Sequence, residues 1–245
     1  MKDETKSSCP GTLRERIDEL STRAWREFMD VSDFFWKAPR LIDHERKLEL
    51  NKLDAYFPDH PEFRERRWSM ESHKLDHTFP YLIAVGNLFS ALSLFESYLL
   101  LLAGELQTQT SVQIKDCKGQ GVSRLFAYFR QIGVIPEGVR LHEQVQASIK
   151  IRNCLMHASG MLDWSRENDD LRRIQSVGFY LSAEHRKMRN DKGGEFNELR
   201  VVSSALGDRL AVDNQYCHVL CSYLNSYFSD LCEAAQVALD PDAKE

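Results

Sequence analysis

Apolar positions recur at helical spacing along most of the chain. From Thr12, the series Leu13, Ile17, Leu20, Ala24 and Phe28 keeps one face apolar and predicts an amphipathic helix. Pro39 predicts a break, after which a second amphipathic run extends from Leu41 to Tyr56. Pro58 and Pro61 end that run, and Glu62 to Lys74 reads as polar helix or loop. Pro80 suits the first turn of a long helix reaching about Leu106, because the N–H it lacks has no helical partner there. Tyr81 to Ala103 is the longest apolar stretch. It approaches membrane-spanning length, but Asn87, Ser90, Ser93, Glu96 and Ser97 interrupt it, which predicts a buried core helix and no membrane association.

Beyond a polar loop with Gly119 and Gly121, Leu125, Phe126 and Phe129 place a shorter helix over Val122 to Ile132. Pro136 opens a further helix that Gly160 ends in a left-handed cap. The period then shortens: Val177, Phe179 and Leu181 alternate, Asp191-Lys192-Gly193-Gly194 offers turn chemistry, and Leu199 and Val201 alternate again. This predicts a β-hairpin at about 174–212. Asp213 or Asn214 then caps a final helix carrying Tyr216, Leu220, Tyr223, Leu224, Tyr227, Phe228 and Leu231. The expected architecture is mainly α. It comprises a disordered tail over 1–10, an N-terminal helical extension over 11–79, and a helical bundle over 80–237 that carries the hairpin as an insertion.

Composition narrows the function classes. The 245 residues carry 32 Lys and Arg against 37 Asp and Glu, a net charge of −5, which excludes a broad basic face for coating nucleic acid or anionic lipid. The imbalance is uneven: residues 1–79 sum to −2, residues 80–160 to +2 and residues 161–245 to −5, so the middle third is where a core and an anion-handling site can coincide. The six cysteines form no C-x-x-C pair, and the N-terminal Met-Lys-Asp-Glu-Thr-Lys lacks the apolar core of a secretory signal. Both features predict a cytoplasmic protein with reduced thiols. Cys217, Cys221 and Cys232 lie along one line of the last helix and read as small core residues, because ligands on one line cannot surround a metal. His185-Arg186-Lys187-Met188-Arg189, at the expected hairpin tip, is nearly cancelled by Glu184, Asp191 and Glu195 and reads as a solvated turn.

The chain has no phosphate-binding Gly-rich loop, no zinc-protease motif and no hydrolase elbow. What remains is Arg152-Asn153-Cys154-Leu155-Met156-His157, followed by Ala158-Ser159-Gly160. With 20 Arg and 8 His in the chain, such a spacing arises by chance about as often as not, so context has to decide. On a helical wheel Arg152 falls near the middle of the stripe formed by Leu141, Val145, Ile149, Ile151, Leu155 and Met156, whereas Asn153 and His157 lie beside it, i and i+4. A guanidinium among apolar residues needs either an acid, for which Glu96 is the candidate, or an anion at an interface. Ideal geometry also sets Arg152 and His157 about 140° apart, so a shared ligand requires the reach of Arg, a loosened last turn or a second subunit.

The segment Ile149 to Gly160 resembles the signature of the HEPN superfamily, the higher eukaryotes and prokaryotes nucleotide-binding domain. The polar Asn153 directly after Arg152 and the long preceding helix with Phe95-Glu96-Ser97-Tyr98-Leu99 extend the resemblance over about 80–235. The resemblance implies a HEPN-like helical bundle and a metal-independent endoribonuclease of the kind found in prokaryotic toxin and antiphage systems. His157 would be the acid/base group, Arg152 the phosphate clamp, Asn153 the orienting group and Glu96 a supporting residue, with no cofactor and no metal. It further implies a homodimer, an RNA substrate and an antitoxin or defence-system partner. A catalytically silent module that holds a nucleotide or a protein in the same pocket is the alternative.

Overall fold

The computed structural model describes residues 11–239; the tail expected over 1–10 lies outside the described residues. The chain is mainly helical: α1 Leu13–Tyr56, α2 Pro61–His73, α3 Phe79–Gln107, α4 Gly121–Gln131, α5 His142–His157, α6 Asn168–Ser176, α7 Ala183–Asp191 and α8 Asn214–Leu239. One antiparallel hairpin, β1 Leu199–Ser204 and β2 Gly207–Val212, precedes α8.

Pro39 does not break α1, which continues through it for 44 residues. A proline deprives the carbonyl four residues earlier of its donor. That carbonyl belongs to Phe35, and the Asn214 side-chain amide donates to it at 2.6 Å, while the Asn87 amide donates to Asn214 Oδ1 at 2.6 Å. Asn214, distant in sequence, therefore replaces the missing backbone N–H, and Asn87 holds its amide in place. Pro80 is accommodated differently. It is the second residue of α3, in the first turn as expected, but α3 follows α2 without a break through a π turn, Lys74–Thr78, whose wider winding lets Phe79 N donate to Lys74 O immediately before the proline ring. The resulting helix, Pro61–Gln107, contains an 18-residue window of mean hydropathy 1.5, long and apolar enough to cross a membrane; 44% of that window is buried within the protein, as suits a core helix.

The chain forms two compact units that do not divide at residue 79. One takes residues up to 27, 94–142 and 224 onward; the other takes 28–93 and 143–223. The first is a helical packing around aromatic side chains: Tyr227 lies 5.9 Å from Phe95 and 6.1 Å from Phe126 between ring centres, and its hydroxyl donates to Pro136 O at 3.1 Å. Pro136–Gly138 is a single 3-10 turn rather than the opening of a long helix. Val139 is extended after Gly138, and Leu141, at φ 68°, turns the chain into α5.

The second unit holds α5, α6, α7 and the hairpin. The expected first strand at Val177–Leu181 is absent. Leu171 and Ile174 are buried one turn apart on α6, Ser182 caps α7 by accepting from His185 N, and the Asp191–Gly194 segment leads out of α7 instead of joining strands. The real hairpin turns at Ala205–Leu206, pairing Ser204 with Gly207 and Leu199 with Val212. The His185–Arg189 run is therefore helical. Arg189 pairs with Glu198, a carboxylate only 1% exposed, which also accepts from the Tyr180 hydroxyl at 3.1 Å. Asp213 caps α8, accepting from Gln215 N at 2.8 Å and Tyr216 N at 3.1 Å. Cys217, Cys221 and Cys232 are buried, as expected.

Candidate functional site

Helix α5 ends where it must to present its last turn. Ser159 at φ 51° and Gly160 at φ 80° take left-handed conformations, and Gly160 N donates back to Cys154 O at 3.0 Å. A β-carbon on Gly160 would stand 3.0 Å from Leu210 O, so only glycine fits. Leu210 N donates to Gly160 O at 2.8 Å and Met161 bridges to Arg209, which pins the end of α5 to β2.

This pinned turn forms one wall of a cavity of about 500 Å³, the size range of small-ligand sites. Asn153, His157 and Ala158 line it from α5, and Trp164, Ser165, Arg166 and Glu167 line it from the loop that follows. Asn153 and His157 thus share one surface, as their i, i+4 spacing predicts. His157 is exposed, and none of the hydrogen bonds among the described residues involves its ring. Other histidines have structural partners: His142 meets the Tyr227 hydroxyl, His185 the Tyr223 hydroxyl and His218 the Ser32 hydroxyl. Ser165 is partly committed, since its hydroxyl accepts from Glu167 N at 3.3 Å and hydrogen-bonds the Cys154 thiol, whose pKa burial nonetheless pushes up.

Arg152 is not part of this lining. It is half-buried, and its Nε is buried without a hydrogen-bond partner. Neither Arg152 nor Glu96 enters an ion pair among the described residues. Glu96 instead lies against the start of α4: a β-carbon on Gly121 would meet its Oε1 at 2.9 Å. That helix has no side-chain cap of its own at Gln120, and a carboxylate suits the exposed N–H groups there. Glu96 therefore stands beside the first residue of α4, and the expected Glu96–Arg152 ion pair is not among those of the described residues.

Trp164, Ser165, Arg166 and Glu167 carry no motif, and only their position just beyond the α5 cap signals them. Arg166 is exposed and free of ion pairs among the described residues, so it supplies the cavity with a cation where Arg152 does not. Among the described residues no group of three or more His, Cys, Asp or Glu side chains stands ready to share a metal ion. The lining offers an imidazole for proton transfer, a guanidinium for an anion, and an amide and a carboxylate for orientation. No family model, curated protein or solved structure matches the chain.

Proposed function

We propose that the chain is a metal-independent endoribonuclease of HEPN type with a HEPN-like bundle, acting in the cytoplasm as a toxin or antiphage effector. The observation that carries the reading is the uncommitted pair Asn153 and His157 on one wall of a nucleotide-sized cavity that also holds the free cation Arg166. RNA supplies its own nucleophile in the 2′-hydroxyl. The protein therefore needs a proton-transfer group, His157, and a permanent cation at the phosphate. Arg152 is not among the residues that line this cavity, which supports a homodimer in which the clamp reaches His157 from a second copy.

Purified protein incubated with total RNA in excess EDTA should leave 2′,3′-cyclic phosphate ends. His157→Ala should slow cleavage by about 10²–10⁴-fold, the usual effect of removing a general acid or base. Products with 5′-phosphates, or a His157→Ala protein that cuts at the unaltered rate, would refute the mechanism. The separation of Arg152 from the cavity also favours a second reading, a silent module that holds a nucleotide; it predicts binding without cleavage under the same conditions.

A further inference from the structure

The cavity's rim carries a large apolar side chain with no structural employment. Trp164 is 71% exposed, yet it ends a 3-10 turn, Leu162–Trp164, whose Leu162 is fully buried. Trp164 N donates to Met161 O at 3.2 Å and Ser165 N to Leu162 O at 3.0 Å, so the backbone bearing the indole is fixed on both sides. Met161 is itself bridged to β2. A solvent-facing indole on a fixed backbone leaves only its own two side-chain torsions to be ordered when a ligand stacks, and leaving it in water forgoes the burial an aromatic ring ordinarily gains. Two residues on, Arg166 lines the same cavity unpaired, and so does His157.

We infer that Trp164 is a stacking platform for one unpaired nucleobase and that Arg166 holds the adjoining phosphate, which makes single-stranded RNA the ligand class. This rests on the ribonuclease reading for its choice of ligand. A base within a duplex is stacked on both faces and cannot lie on the indole, whereas a splayed base presents its face to any aromatic ring. The lining agrees with recognition by stacking more than by charge: Arg166 and Glu167 cancel, and outside it Lys150 is already committed to Asp170 and Arg172 to Asp208.

The test uses the full chain and a fluorescent 2′-O-methyl oligonucleotide, which binds but cannot be cut, offered single-stranded or annealed to its complement. Trp164→Ala should weaken single-strand binding by about 5- to 160-fold, the range for losing one base–aromatic stack, and Trp164→Phe should keep most of it. Two cationic contacts at most should give a log–log salt slope no steeper than about −1.4. The duplex should bind at least tenfold more weakly, with no sensitivity to Trp164. Equal affinity for strand and duplex, or a folded Trp164→Ala protein with unchanged affinity, overturns the inference even if the protein cleaves RNA. Trp164-dependent binding without cleavage of ordinary RNA upholds the platform and removes the ribonuclease.

Discussion

Replacing Asn214 by alanine should expose how α1 survives its internal proline. The substitution removes the amide that donates to Phe35 O at 2.6 Å and the acceptor that Asn87 Nδ2 uses at 2.6 Å. Each buried polar group left without a partner costs about 1–3 kcal/mol, and Asn214 is only half-buried, so water relieves part of the loss and about 2–4 kcal/mol is expected. At about 2–4 °C per kcal/mol for a chain of this size, the melting temperature should fall by about 4–16 °C. The diagnostic step is the double mutant. Pro39→Ala restores a backbone N–H four residues after Phe35, so in that background Asn214→Ala should cost about 1–3 kcal/mol less. Any general effect of alanine at the start of α8 is common to both backgrounds and cancels in the cycle. Asn214→Asp adds a second check: it keeps an acceptor for Asn87 but sets an oxygen against the Phe35 carbonyl, and should be at least as damaging as alanine. Urea titrations of the four proteins measure the coupling. Equal costs of Asn214→Ala with and without Pro39, within about 0.5 kcal/mol, would falsify the substitution of side-chain amide for backbone donor.

Mixing inactive His157→Ala and Arg152→Ala proteins should restore part of the cleavage if each site takes one group from each copy; no recovery, with light scattering that shows a monomer, would assign the clamp to Arg166 alone. Acid should loosen the hairpin's attachment to α6. The Asp208 carboxyl is held below the ordinary range, first by the Ser203 hydroxyl and then by Arg172, and Asp170 is held there by Lys150. Their stabilisation is present above the unfolded value of about 4 and fades as pH falls through the lower folded values. The melting-temperature gap between wild type and Asp208→Asn should therefore narrow from pH 5 to pH 3, and a constant gap would contradict the pairing. Burial pushes Cys221 and Cys232 up to about 12 and Cys217 higher still. Ellman's reagent at pH 8 should accordingly leave these thiols unlabelled until guanidinium is added, and their rapid labelling in the native protein would show that α8 is not packed as described.

The helices were legible wherever a periodic apolar face was long: Leu13 to Phe28, the stretch through Leu99 and Leu102, and the run from Tyr216 to Leu231 all appear as helix. Prolines misled because their effect depends on partners that local pattern does not contain. Asn214 lies 179 positions from Phe35, and nothing near Pro39 announces it. The false strand arose from three alternating residues, Val177, Phe179 and Leu181, too few to outweigh Leu171 and Ile174 at helical spacing just before them. Asp191-Lys192-Gly193-Gly194 has good turn chemistry, but turn chemistry serves a helix exit as well as a hairpin.

The candidate site was legible by half for a related reason. A helical wheel gives directions within one helix, so it placed Asn153 and His157 together and Arg152 apart, and the cavity lining follows that division. It cannot report what stands opposite. The rest of the lining comes from Trp164 to Glu167, whose placement depends on the left-handed pair Ser159 and Gly160 and on the Gly160–Leu210 backbone bond. The choice of Glu96 as counter-ion failed on the same ground, since charge and isolation in sequence do not say which helix end lies beside a carboxylate. The separation of Arg152 from His157 was thus visible from the first, and its consequence is chemical. Within one chain His157 shares its cavity with Arg166, a cation the motif does not include, while Arg152 is absent from that lining, which is why the ribonuclease proposed above draws its clamp from a second copy.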